Sequence, residues 1–268
     1  MGDEYKDFIT KLGFTDFEKE DANDVLKYYG LEDNEEGWVG LKIDWSLLIN
    51  RICQKIGLQN LELKRQVNSI KNCNNNLIVN TFNKSYITKK VIIATTIETV
   101  KKLLPKMRIY AQIHGQSFLR VYAKFTNPIP NLDVYTIVTG PLKKIIPINI
   151  KDGIYMIAYT DNKDAISLEK YTKNNLQNRQ YFCRLVEKAL DLKDPLHIVA
   201  IKSFFWEIGT HYYEPLKGPY KNRTEFIYEA QHPQNNMLVV GEMISKNQGW
   251  TLGALESVNV VNQEWIKN

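Results

Sequence analysis

Residues 237–257 read Met237-Leu-Val-Val-Gly-Glu-Met-Ile-Ser-Lys-Asn-Gln-Gly-Trp-Thr-Leu-Gly-Ala-Leu-Glu-Ser257. The order is an apolar run, a turn bounded by glycines, then a helical pattern. Met237 to Val240 is short and wholly apolar, which predicts a buried strand. Gly241 and Gly249 permit tight turns and close backbone approach, and a helix from about Thr251 would offer free amides at its positive dipole end. Anionic or acceptor atoms of a ligand suit such a place. The plain alternative is a strand–turn–helix unit whose small residues only serve a helix–sheet contact. Glu242 separates the two readings, because an acid directly after a buried strand is a poor choice for a purely structural role.

Outward from this segment, the chain of 268 residues is long enough for one large core or two moderate ones, and its apolar fraction of 44% is that of a globular protein. The net charge of +5 is spread along the sequence, which argues against specific nucleic-acid binding. The densest basic stretch, Lys101 to Arg108, falls on an amphipathic helical pattern with Val100, Leu103 and Leu104 opposite, and reads as a solvated face. Cys53, Cys73 and Cys183 have neither metal nor redox spacing, so no metal site and no disulfide framework is expected. No window has the form of a signal peptide or a membrane span, and a soluble intracellular protein is expected.

Helical patterns are predicted over Tyr5 to Tyr29, interrupted at Gly13-Phe14-Thr15, and again after Asp44, where Trp45, Leu48, Ile49, Ile52 and Ile56 keep a 3.6-residue period until Gly57. Trp45 is assigned to a core, and residues 30–40 to a loop. Strands follow at Leu61 to Ile70, Leu77 to Phe82 and Tyr86 to Thr95, with Asn72 to Asn76 as a turn. The continuous run Val91 to Ala94 suits a strand buried on both faces of a central sheet. Further strands are read at Phe118 to Phe125, Tyr135 to Val138, Ile145 to Ile150 and Ile154 to Tyr159, then one long helix from about Asp164 to Leu190 and a strand from His197 to Phe205. Gly209 to Asn222 reads as an aromatic loop, followed by a short helix near Glu225. The order implies an α+β fold.

Several of these segments, in this order, resemble the flavin-containing amine oxidase family. The closing stretch has that family's Gly-Glu pair, an aromatic residue and then Gly-Ala-x-x-Ser. Gln66-Val67-Asn68-Ser69-Ile70, a hairpin and Lys90-Val-Ile-Ile-Ala-Thr95 resemble its middle flavin-domain segment. Phe118 to Phe125 resembles the strand whose lysine approaches flavin N5 through water, and Trp206 to Tyr213 lies where substrate-pocket aromatics are found. The resemblance implies FAD as cofactor. Val67 would meet its adenine end, Glu242 its ribityl and phosphate region, and Trp250 with Thr251 its pyrimidine edge, with Gly241 and Gly249 in the cofactor-binding turns and Gly253 and Ala254 admitting the helix closely. It also implies Trp206, His211, Tyr212 and Tyr213 as a pocket for a small amine, with packing of an aromatic loop on its own domain as the alternative. Arg120 stands where the family has the lysine, and Lys124 lies four residues on, on the same face of the strand. Arginine cannot act as a base, so a water-activating role would be altered or pass to Lys124, unless both are surface charges. No Ser-His-Asp or Cys-His arrangement competes.

The implied organisation is a partial FAD-binding domain of Rossmann-like type with an inserted mixed-sheet substrate domain. Residues 1–44 would form a helical part of the substrate domain, 45–105 one FAD-domain segment, 106–222 the rest of the substrate domain and 223–268 the C-terminal FAD-domain segment. The sequence contains no Gly-x-Gly-x-x-Gly turn, which in the family receives the pyrophosphate. Three functions therefore stand side by side: an FAD-dependent amine oxidase-like oxidoreductase, an inactive structural or interaction protein of the same fold, including a virion-type one, and one half of a split enzyme. Self-association, or a partner polypeptide carrying an N-terminal FAD domain, is expected with them.

Overall fold

Alternation of apolar residues along five neighbouring segments builds the dominant sheet. In a computed structural model that describes residues 19–26, 42–261 and 265, the strands are β5 (Ile113–Phe125), β6 (Thr136–Ile137), β7 (Lys144–Asn149), β8 (Ile154–Asp161) and β9 (Ile198–Tyr213). Their order is β6-β7-β8-β5-β9, and every pairing is antiparallel. The sheet is thus not the mixed one expected; β8 and β9 flank β5 and run in the same direction, joined by a connection that crosses over β5. Leu119, Val121, Ala123 and Phe125 of β5 point to one face and are buried with Ile145, Tyr155, Ile157, Ile198 and Ile201. Helices α3 (Asn162–Glu169) and α4 (Leu176–Ala189) contribute Ala165, Leu168, Phe182, Cys183 and Val186 to this core.

The one long helix expected over 164–190 is these two. The break is made by polar side chains that compete for the backbone. Thr172 Oγ1 donates to the Glu169 carbonyl at 2.6 Å, Asn174 Oδ1 accepts from the Ile201 amide at 3.2 Å, and Asn175 caps α4 by accepting from the Asn178 amide at 2.9 Å. Strand β5 starts five residues before the predicted Phe118, and β9 runs on to Tyr213, so Gly209 to Tyr213 is strand rather than loop. Gly209 permits this, since the Phe118 ring occupies the space a side chain would need.

These elements, with residues 19–21, 112–217 and 248–251, form one unit; residues 22–26, 42–111, 218–247, 252–261 and 265 form a second. The second contains α1 (Trp45–Ile56), the antiparallel meander β1 (Val67–Cys73), β2 (Asn76–Thr81) and β3 (Ser85–Thr88), strand β4 (Val91–Ile93), α2 (Ile97–Leu103), α5 (Arg223–Gln231), β10 (Met237–Val239) and most of α6 (Thr251–Val261). The predicted strand Tyr86 to Thr95 is divided after Thr88. Its first part closes the meander, and its second pairs in parallel with β10, Ile92 opposite Leu238. Ile92 is 47% exposed, so this strand is not buried on both faces. The first strand begins at Val67 rather than Leu61. Helix α2 includes Lys101 and Lys102 but stops at Leu103, short of Lys106 and Arg108, because Pro105 disfavours helix in the residue before it.

Helix α1 has the predicted caps: Asp44 accepts from the Leu47 amide at 3.0 Å, and Gly57 leaves the helix at φ 90°. Its apolar face is not in a core. Trp45 is 60% exposed and no residue of the helix is buried. Amphipathic spacing states that a face needs cover and leaves the cover unnamed. Residues 22–26 are helical; the remainder of the predicted 5–29 helix, the 30–40 loop and the end of the last helix lie outside the described residues, as does most of the 1–44 segment.

Candidate functional site

In the second unit, the two parallel strands end together. The Val240 amide donates to the Ile93 carbonyl at 2.9 Å, and Gly241-Glu242 follow at the carboxyl end of β10. Ligands of α/β sheets bind beyond the carboxyl ends of parallel strands, which makes this the natural cradle of the unit. Gly241 has φ 131°, open to glycine alone at low cost. Its amide donates to Ser257 Oγ at 2.8 Å, and Ser257 Oγ donates to the Ala254 carbonyl at 2.7 Å. Glu256 accepts from Asn247 Nδ2 at 2.7 and 2.8 Å and from Ser245 Oγ at 3.2 Å. A side chain at Gly253 would run into the Asn247 carbonyl. The turn is thereby stapled to α6, and Asn247 Oδ1 is buried without a partner. Ser245, Glu256 and Ser257 all lie within the quoted stretch; Ser257 is the serine of Gly-Ala-x-x-Ser, whereas the sequence pattern assigns no role to Ser245 or Glu256.

Glu242 opens a short 3₁₀ turn directly after Gly241 and is half-buried. Ala254 is half-buried on α6, and Val67 is half-buried at the start of β1 opposite Thr81. Gly249, at φ 87°, and the exposed Trp250 and Thr251 belong to the first unit's 248–251 segment. A hydroxyl-rich ligand such as the ribityl chain of a flavin fits an acidic acceptor at this position. A glycine-rich turn for its pyrophosphate is not in the sequence, so the fit is partial.

The first unit offers a different surface, the sheet face turned away from its core. The registers place three rows side by side: Asp161, Phe118 and Trp206; Tyr159, Arg120 and Phe204; Met156, Tyr122 and Lys202. Phe204 stacks on Trp206 with ring centroids 5.9 Å apart, and Tyr122 meets Phe204 edge-on at 6.0 Å. Arg120 holds the centre and is 8% exposed. Its guanidinium carbon lies 3.5 Å from the Tyr159 ring centroid and 4.6 Å from that of Phe118. Nη1 donates to the Leu119 and Thr160 carbonyls, both at 3.0 Å, and to Asp161 Oδ1 at 2.9 Å. Desolvation raises the Asp161 pKa above the usual aspartate value, and the Arg120 charge opposes that rise without cancelling it.

Arg120 is therefore an anchored residue of the sheet, not a surface charge. Lys124 shares its face and is exposed, opposite Ile154 and Ala200. Of the four pocket aromatics, Trp206 belongs to this face and is 45% exposed. His211 and Tyr213 are buried near the end of β9, with Tyr213 opposite Ile113. Tyr212 stacks on His114 at 5.1 Å and borders a cavity of about 220 Å³ with Gly115, Ser117, Asn162 and Lys163. The partners Asp161 and Tyr159 escaped sequence reading because only the cross-strand register brings them to Arg120.

No family model and no curated protein matches the chain. Among solved structures, it resembles cyclohexylamine oxidase from Brevibacterium oxydans IH-35A, with a TM-score of 0.60 at 14% identity. The match covers 83% of this chain and 53% of that one, so the chain spans about half the length of the enzyme it resembles. The likeness is one of fold: the mixed helix-and-sheet arrangement is that of part of an amine oxidase. Among the described residues, no helix is long and apolar enough to cross a membrane.

Proposed function

We propose that the chain is the C-terminal portion of an FAD-dependent amine oxidase-like oxidoreductase. In this reading residues 45–105 and 223–268 are segments of a Rossmann-like FAD domain, and 106–222, with the helical 1–44, supply the substrate domain. The observation that carries it is the parallel pair β4–β10, whose carboxyl end presents Gly241 and Glu242 and is stapled to the following helix. When bound, FAD supplies the two-electron acceptor for oxidising the carbon beside an amine. This chain's contribution is positional. Glu242 would accept from ribityl hydroxyls, Gly253 keeps the turn against α6, and the aromatic face around Arg120 holds the organic part of the substrate.

Without a pyrophosphate turn in its sequence, the chain alone should hold FAD weakly. A flavin titration followed by visible absorption and flavin fluorescence tests the assignment. Weak, saturable binding that Glu242→Ala weakens further supports it; no binding at millimolar flavin removes it. Two other readings, an inactive structural or interaction protein of this fold and one half of a split enzyme, are favoured by the exposed apolar face of α1.

A further inference from the structure

Nη1 of Arg120 has two hydrogens, yet three oxygens converge on it: the carbonyls of Leu119 and Thr160 and the carboxylate of Asp161. The other edge of the same guanidinium, Nε and Nη2, has no hydrogen-bond partner among the described residues. Tyr159 and Phe118 flank the group, with ring centroids 3.5 and 4.6 Å from the guanidinium carbon. A charged fork is thus fixed on one side and unused on the other, in a residue that is more than nine-tenths buried.

The surroundings define what would occupy that edge. Phe204 and Trp206, stacked within 17° of parallel, form a half-exposed apolar wall on the adjacent strand. Lys202 lies over Phe204 at 5.2 Å, and Lys144 over Tyr159 at 5.2 Å. Asp161 is the acid of the three rows, and Arg120 already engages it. The field over the face is therefore positive, which repels an ammonium group and attracts a carboxylate. Arginine's Nε–Nη2 edge matches a carboxylate with two parallel hydrogen bonds, and the wall accepts a planar ring beside it.

We infer that the outer face of the five-stranded sheet binds aromatic carboxylates, with Arg120 as the anion anchor and Phe204 and Trp206 as the ring subsite. Resting on the oxidoreductase reading, the substrate class becomes an amine that also carries a carboxylate, an aromatic amino acid rather than a simple amine. Arg120 is then a specificity-determining residue, held in place by Asp161 and Tyr159.

The test uses the full chain without flavin, so that its outcome is independent of cofactor binding. Calorimetry is run with 3-phenylpropanoate, 3-phenylpropylamine and 3-phenylpropanol, which share the ring and differ in the charged end. The acid should bind roughly tenfold or more tightly than the amine. Arg120→Met combined with Asp161→Asn, which avoids leaving a lone buried carboxylate, should abolish that preference and leave the alcohol unaffected; Arg120→Lys should restore part of it. Equal or tighter binding of the amine by the wild type, a preference that survives the double variant, or no binding of the acid at millimolar concentration would each overturn the inference. The wild-type comparison needs no variant to fold, and a failure of flavin titration leaves it standing.

Discussion

The two units spend similar apolar sequence to different ends. In the first, five antiparallel strands close one face over a continuous core from Leu119 to Ile201. In the second, the strands are divided between a three-stranded meander and a two-stranded parallel pair, and α1 buries nothing. Parallel sheets are stable when both faces are covered and several strands share the burial. Here only two short strands share the burial, and although β10 is buried throughout, Ile92 of β4 is 47% exposed. The comparison teaches that apolar periodicity predicts where a surface needs cover, while sheet topology decides whether the same chain supplies it.

The largest effect should come from the self-sufficient core. Phe125→Ala removes a fully buried ring that meets Tyr155 edge-on at 5.7 Å, and a loss of about 3–5 kcal/mol is expected in denaturant unfolding. Trp45→Ala, a deletion of comparable size on α1, should change the stability of the monomer by less than about 0.5 kcal/mol. Equal losses at the two positions would break the contrast, because α1 would then have to be buried.

The uncovered face leads to the next expectation, association. Trp45, Ile49, Ile52 and Ile56 recur at intervals of four, three and four residues, the spacing of a helix–helix seam. Each buried Å² of such surface contributes about 25 cal/mol. Light scattering on the pure chain should show concentration-dependent self-association, or retention of a partner polypeptide, and Ile49→Glu with Ile52→Glu should abolish it. A wild type that is monomeric and unpartnered at every concentration tested would show that α1 is stable without cover.

A smaller effect is expected within the cradle. Ser257→Ala leaves the Gly241 amide without its acceptor, at a cost of about 1–3 kcal/mol. The loss should be confined to amides of 241–247 and α6 in hydrogen exchange, and the first unit should be unchanged. Protection lost evenly across both units would mean that they unfold together and that the local reading is wrong.

How much of this was legible in the sequence differs between the units for the same reason. The strands of the first unit were found nearly in place because each alternates by itself, and the misses were extensions and breaks. Gly209 continues a strand only because Phe118 lies on it, and Asn174 and Asn175 divide the helices only because Ile201 is near. In the second unit, β10, the turn and α6 were visible in the quoted motif. The division of Tyr86 to Thr95 between two sheets and the exposure of Trp45 were not, because local pattern carries no information about which element covers which. The site residues follow the same rule: Arg120 was identified by position, while its anchoring by Asp161 and Tyr159 depends on strand register.

The last contrast is one of sign in acid titration. Glu62, in the second unit, accepts from the Tyr86 hydroxyl at 2.5 Å, from Lys84 Nζ at 3.1 Å and from Arg65 Nε at 3.2 Å. These bonds, that of Tyr86 foremost, lower its pKa from the ordinary 4.5 to about 2. Because the folded value lies below the unfolded one, the contribution of Glu62 is present above pH 4.5 and is lost as the pH falls toward 2. Asp161, in the first unit, behaves oppositely. Desolvation raises its pKa, so its ionised form weighs against the fold above that value, and protonation relieves the cost as the pH falls through it. On acidification, Asp161 should therefore take up its proton before Glu62, and the meander should loosen only at the acid end. The group is solvent-exposed and screened, so the readout is local. Carboxyl chemical shifts of the two residues, with amide exchange in β3 between pH 5 and 2, measure the order. Glu62→Gln should remove the pH dependence of β3 exchange, and a Glu62 that titrates before Asp161 would reverse the assignment of which unit's carboxylate supports its fold.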